Sequence, residues 1–222
     1  MGRDIAIETA HGLVDGWLAE PDGAAHGALV VLQEIFGVND HIRSVTERFA
    51  ANGYVALAPA LFDPVQGDVE LGYDEAGFAK GRALVGELGI DRAVDIVRAA
   101  AKRLQEEGHK VGVVGYCWGG SVAYLANTRL GLPAVSYYGA RTVPFLDEPL
   151  LAPMLFHFGG RDASTPASDI ELHRRKQPEA AVHLYDDAGH AFNRDVDHGH
   201  YHAESAALAL GRTLEFFAEH LG

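Results

Sequence analysis

The stretch Val111 to Ala123, V-G-V-V-G-Y-C-W-G-G-S-V-A, constrains this chain more than any other. A short β-branched run, Val111–Val114, meets a Gly-x-Cys-x-Gly turn, and small and apolar residues suited to a packed helix follow. A strand that turns so sharply into a helix strains its middle residue, and Gly115 and Gly119 leave room for backbone to approach backbone. Cys117 is thereby expected to stand clear of the sheet at a helix N-terminus, where the partial positive charge favours thiolate. The pattern is a nucleophile elbow, G-x-S-x-G, with cysteine in the serine position.

The rest of the chain reads as strands alternating with helices. Ile5–Thr9 and Leu13–Ala19, separated by His11-Gly12, predict an N-terminal antiparallel hairpin. Ala28–Leu32 is a continuous apolar run, as a strand covered on both faces requires. Further short strands are expected at 54–57, 134–138, 154–158 and 182–185, with Pro59 ending the first of these. Helices are expected over 40–51, weakly over 73–88, strongly over 91–107, and at the C-terminus, where Ala207, Leu210, Leu214, Phe217 and Leu221 share a face. The fold class is therefore α/β, a mostly parallel doubly wound sheet with helices on both faces. The 222 residues show no repeat, linker or shift in composition, so one domain over 1–222 is expected.

Charge and cysteine usage narrow the functions. Thirty-one acidic residues against 18 Lys and Arg give a formal charge of −13, which argues against nucleic acid and anionic membranes as partners. A single cysteine allows no internal disulfide and fits a reducing, cytoplasmic setting, and no stretch reaches membrane-spanning length. A small-molecule ligand is the expected partner, with the chain a monomer or small homo-oligomer.

Sheets of this kind bind ligands beyond the carboxyl ends of their strands, so the residues just after each strand matter most. Glu34 follows the third strand and Cys117 the elbow strand. Gly159-Gly160-Arg161-Asp162 follows the strand ending at Phe158, and Asp186-Asp187-Ala188-Gly189-His190 the strand ending at Tyr185. Nucleophile, acid and histidine thus occur in the chain order of the α/β-hydrolases. Asp162 alone would serve as a turn residue, and His190 is one of 12 histidines. Their joint order and placement carry the triad.

Q-E-I-F-G at 33–37, G-Y-C-W-G-G at 115–120, G-G-R-D at 159–162 with Pro166, and G-H-A-F at 189–192 resemble the dienelactone hydrolase family. The resemblance implies an α/β-hydrolase fold, no cofactor, and hydrolysis of dienelactones to maleylacetate in chloroaromatic breakdown. It implies Cys117 as nucleophile, His190 as base, Asp162 as the group orienting that base, and Glu34 as the carboxylate that contacts the resting thiol. It also places Arg194 against a substrate carboxylate, a task suited to the guanidinium fork. A second arginine of the family, expected near Tyr73, is not evident, although Lys80 and Arg82 lie further along. Backbone N–H groups of Ile35 and Trp118 are the expected oxyanion donors. Phe36, Tyr138 and Phe192 are candidate pocket walls, with Trp118 beside them. His198, His200 and His202 form an H-x-H-x-H run, read here as a surface loop rather than a metal site because Gly199 and the next helix disfavour a strand. Two alternatives stay open: a broader carboxylesterase or thioesterase, and a ligand-binding or redox-sensing protein without turnover.

Overall fold

The computed structural model describes residues 2–222. Eight strands form one sheet in the order β1-β2-β4-β3-β5-β6-β7-β8. They are β1 Arg3–Thr9, β2 Gly12–Ala19, β3 Ala28–Leu32, β4 Val55–Pro59, β5 Val111–Tyr116, β6 Ala134–Tyr137, β7 Met154–Gly159 and β8 Ala181–Tyr185. The six α-helices among the described residues are α1 Asp40–Ala51, α2 Glu75–Leu88, α3 Ile90–Glu106, α4 Trp118–Leu130, α5 Ala167–Lys176 and α6 Ala203–Leu221. By its contacts the chain divides into the residues up to Val113 with Leu221–Gly222, and Val114–His220, so that β5 belongs to both. Each half is described in turn.

In the N-terminal half, β1 pairs with β2 and β2 with β4 antiparallel, whereas β3 pairs with β4 parallel. The expected hairpin is present, and Gly12 at φ 99° makes the turn that L-residues resist. β3 is buried at all five positions, as its unbroken apolar run requires. Pro59 lies inside β4 as its last residue, opposite Gly16, rather than ending the strand before it. A last position gives proline a place where little of the ladder is lost. The side chain of Asn39 caps α1 by accepting from the Ile42 N–H at 3.3 Å. Asp74 caps α2 in the same way at Gly77, 2.7 Å away, so the helix starts two residues later than its apolar pattern suggests.

In the C-terminal half, β6 pairs parallel with β7 and β7 with β8. α4 packs on β6, and its residues Trp118–Thr128 are all buried. A helix buried around its whole circumference, with small and apolar residues predominating, belongs in a core. No helix among the described residues is long and apolar enough to cross a membrane.

Candidate active site

Cys117 sits between β5 and α4 with φ 54° and ψ −119°, a conformation glycine takes easily and other residues do not. Three observations explain why it is held there. Its N–H donates to the Tyr137 carbonyl at 3.0 Å, and its own carbonyl accepts the Gly120 N–H at 3.0 Å. A Cβ on Gly115 would stand 2.0 Å from the Gly119 carbonyl oxygen, so strand and helix meet only because Gly115 has no side chain. A Cβ on Gly120 would likewise stand 2.9 Å from the Tyr137 carbonyl oxygen. The thiol remains partly exposed.

Two loops at the ends of β7 and β8 bring the acid and the base together. Gly160 N–H donates to Tyr185 O at 2.8 Å, and Arg161 N–H to Ala188 O at 2.9 Å. A Cβ on Gly159 would come within 2.6 Å of Ala188 O, and one on Gly160 within 2.8 Å of Asp186. The Gly-Gly pair is therefore the fitting surface between the loops. As a result Asp162 Oδ2 lies 2.7 Å from His190 Nδ1, with the carboxylate side chain 1% exposed. His190 also hydrogen-bonds Cys117.

The electrostatics follow from these contacts. Burial pushes the His190 imidazole down, but hydrogen bonds to Asp162 and Cys117 and their charges outweigh it and carry its pKa up to about 10. Burial pushes the Asp162 carboxyl up, while the bonds from His190 and Ser164 more than offset it and hold the group below its ordinary 3.8. A carboxylate that stays ionised and accepts from Nδ1 forces the proton onto that nitrogen. The arrangement has the geometry of a nucleophile, a base and an orienting acid.

The other expected site residues occupy varied settings. Glu34 is 1% exposed and follows β3 in a loop pinned from several sides. Gln33 Oε1 accepts the Leu61 N–H at 3.1 Å, and the Phe36 carbonyl accepts that of Leu71 at 2.8 Å. A Cβ on Gly81 of α2 would meet Ile35 O at 2.2 Å. Phe36 packs edge-on against Tyr73, ring centres 4.8 Å apart. Trp118 is the first residue of α4 and is buried. Tyr138, at φ 40°, stands edge-on to His190 with ring centres 4.9 Å apart and donates its hydroxyl to Asn193. Phe192 is wholly buried among Tyr137, Tyr138 and Tyr185.

Arg194 is 5% exposed, and its Nη1 lies 3.0 Å from Asp197 Oδ2, which also receives His200 Nδ1 at 2.8 Å. The guanidinium expected to face substrate is thus already bonded within its own loop. His202 Nδ1 is engaged with Ser205 Oγ at 2.8 Å. Among the described residues no group of three or more His, Cys, Asp or Glu is placed to hold a metal. A cavity of about 450 Å³ lies wholly in the N-terminal half, lined by acidic residues with Trp17 and Arg43, and none of Cys117, Asp162 and His190 lines it. Burial there raises Asp63 to about 6, with Asp15 and Asp68 adding to the shift against a backbone bond from Asp15.

Ser164 and Asn193 were not singled out by sequence reasoning, yet both bond residues of this site. For Ser164 the signal was present: Asp-x-Ser is a turn in which the acid's side chain is bonded two residues on.

Comparison with known proteins gives the family of the chain. Residues 14–221 match the dienelactone hydrolase family. A carboxymethylenebutenolidase of Pseudomonas putida is 34% identical over 230 residues, covering 96% of this chain and 95% of its own. A candidate carboxymethylenebutenolidase of Salmonella typhimurium is 36% identical over 219 residues, covering 90% and 80%. The crystal structure of a candidate dienelactone hydrolase from Klebsiella pneumoniae superposes with a TM-score of 0.87 at 27% identity, over 99% of this chain and 98% of that one. The fold is that of the α/β-hydrolases, and the chain belongs to the dienelactone hydrolase family.

Proposed function

We propose that this hydrolase opens a small enol lactone, of the dienelactone-to-maleylacetate type, through Cys117, His190 and Asp162. The observation that carries the reading is the contact chain from Cys117 to His190 to the buried carboxylate of Asp162. We assign the resting site to a thiolate–imidazolium pair, with the hydrogen bonds and charges of Asp162 and Cys117 holding the proton on His190.

The thiolate attacks the lactone carbonyl, and the oxyanion is held by the N–H groups of Trp118 and Ile35. As the tetrahedral adduct collapses, the ring C–O bond breaks and leaves a thioester on Cys117. The expelled enolate takes the proton from His190 and goes on to the ketone. Acylation has meanwhile removed the thiolate charge that helped raise the imidazole's pKa, so His190 is left neutral and competent as a base. It withdraws a proton from water, the hydroxide adds to the thioester, and the C–S bond breaks. The acid product gives its proton to bulk water and leaves as the carboxylate, and the thiolate–imidazolium pair is restored. Asp162 keeps its charge throughout and holds Nδ1–H.

Glu34, buried after β3, is the residue we assign to tuning the resting thiol, and Phe36, Tyr138 and Phe192 to the pocket walls. No step calls on a metal or an organic cofactor, so EDTA leaves turnover unchanged. The test is turnover of a dienelactone beside a p-nitrophenyl ester, before and after alkylation by iodoacetamide. Lactone turnover that disappears with one equivalent of label supports the reading. Ester turnover without lactone turnover shifts the assignment to a broader esterase, and turnover that survives labelling rejects Cys117.

A further inference from the structure

Asp162 uses its two oxygens differently. Oδ2 faces His190 Nδ1 at 2.7 Å. Oδ1 accepts twice from one residue, from the Ser164 N–H at 2.8 Å and from the Ser164 hydroxyl. The same hydroxyl oxygen lies 3.2 Å from His190 Nδ1. Ser164 is exposed at the protein surface, whereas the carboxylate it holds is 1% exposed. The hydroxyl therefore stands over the acid–base pair on its solvent side and touches both members.

We propose that Ser164 is a positioning residue for the triad: its hydroxyl locks the Asp162 carboxylate so that Oδ2 alone is presented to His190. The physical reason is the symmetry of a carboxylate. Its two oxygens are chemically equal, and rotation about the Cβ–Cγ bond is soft, so nothing within Asp162 selects one oxygen or fixes the plane. Two donors on Oδ1 select it. The backbone N–H fixes the position of Oδ1. The hydroxyl supplies the second donor and, from the other side, a second acceptor near Nδ1–H. With Oδ1 occupied, the plane of the carboxylate and the direction of the Nδ1–H···Oδ2 bond are set together, and so is the aim of Nε2 at Cys117. A small shift in that aim is expensive, because proton transfer depends steeply on geometry.

This inference rests on the proposed triad, and the experiment separates the two. Ser164→Ala keeps the backbone N–H and hence the turn, removing only the hydroxyl. Ser164→Thr restores a hydroxyl on the same carbon. Steady-state kinetics with a dienelactone are measured for both, for Asp162→Ala, and for the Ser164→Ala/Asp162→Ala double variant. The expected result is a fall in kcat of roughly tenfold for Ser164→Ala with KM unchanged, recovery in Ser164→Thr, and no further loss in the double variant. A merely structural serine would lower stability and leave the two losses additive. Ser164→Ala kinetics equal to wild type, with Asp162→Ala inactive, overturn the role of Ser164 and leave the triad standing. Full activity in Asp162→Ala overturns both.

Discussion

At the scale of single residues, His190 joins structure to chemistry. Its pKa stands at about 10 against an ordinary 6.5 because the imidazolium, though penalised by burial, lies between Asp162 and Cys117. A folded-state pKa above the unfolded one means that the native protein holds the proton more tightly. The stability this provides is complete below about pH 6.5 and is lost as pH rises toward about 10. The thermal stability of the wild type relative to His190→Gln should therefore shrink steadily from pH 7 to pH 10. Removing one source of the shift should also be visible directly. In Cys117→Ala, the imidazole followed by NMR should titrate at a lower pH than in the wild type. Identical titration would mean that the thiol does not act on His190. The three residues proposed as the triad stand out in the sequence because chain order and strand ends are written there. The clamp on Asp162 was harder to see, since Asp-x-Ser at 162–164 marks a turn wherever it occurs and only the β8 loop makes it part of a site. The bond from Arg194 to Asp197 was equally hidden, because Asp195 and Asp197 are both near it in sequence and the turn that sets Asp197 Oδ2 at 3.0 Å is not written there.

At the scale of elements, the β5–α4 elbow stores strain at the point where the chemistry is proposed. Cys117 has φ 54° and ψ −119°, for which a non-glycine residue is penalised by roughly 1–3 kcal/mol. Glycine is free of that penalty but loses about 0.5–1 kcal/mol more chain entropy on folding. The strain term is larger. Cys117→Gly should accordingly be about 1 kcal/mol more stable than Cys117→Ala in urea unfolding, with both inactive. Equal stability, or a less stable glycine variant, would mean that the elbow is not strained. The elements themselves followed from periodicity nearly residue by residue, α1 at 40–51 and β3 at 28–32 among them. Departures fell where capping or pairing overrides pattern. Asp74 starts α2 late, and Pro59 completes a strand that its own chemistry was expected to end. A proline at the last rung of a ladder cannot be told from a terminator by sequence alone.

At the scale of the whole molecule, the charge of −13 bears on which substrates approach. An anionic lactone is repelled at long range, and salt screens that repulsion beyond a Debye length of about 8–10 Å. If Arg194 supplies the local counter-charge, Arg194→Ala should raise KM for an anionic lactone by roughly tenfold or more, from a lost charge-assisted bond of about 1.5–3 kcal/mol. Hydrolysis of a neutral ester should barely change. Because the guanidinium is buried and bonded to Asp197, the variant's melting temperature has to be measured alongside. Equal slowing of both substrates with a lowered Tm would assign Arg194 to holding its loop, and would end its proposed role in selectivity.

The central claim is that turnover passes through a thioester on Cys117, and the mass of the protein caught during turnover tests it most directly. Enzyme mixed with an enol lactone, quenched in acid within the first turnovers and examined by intact and peptide mass spectrometry, should carry one added acyl group. The adduct should map to the peptide containing Cys117 and be released by hydroxylamine. Lactone consumed at the full rate with no adduct on Cys117, in the wild type and in a variant slowed in deacylation, would contradict the account.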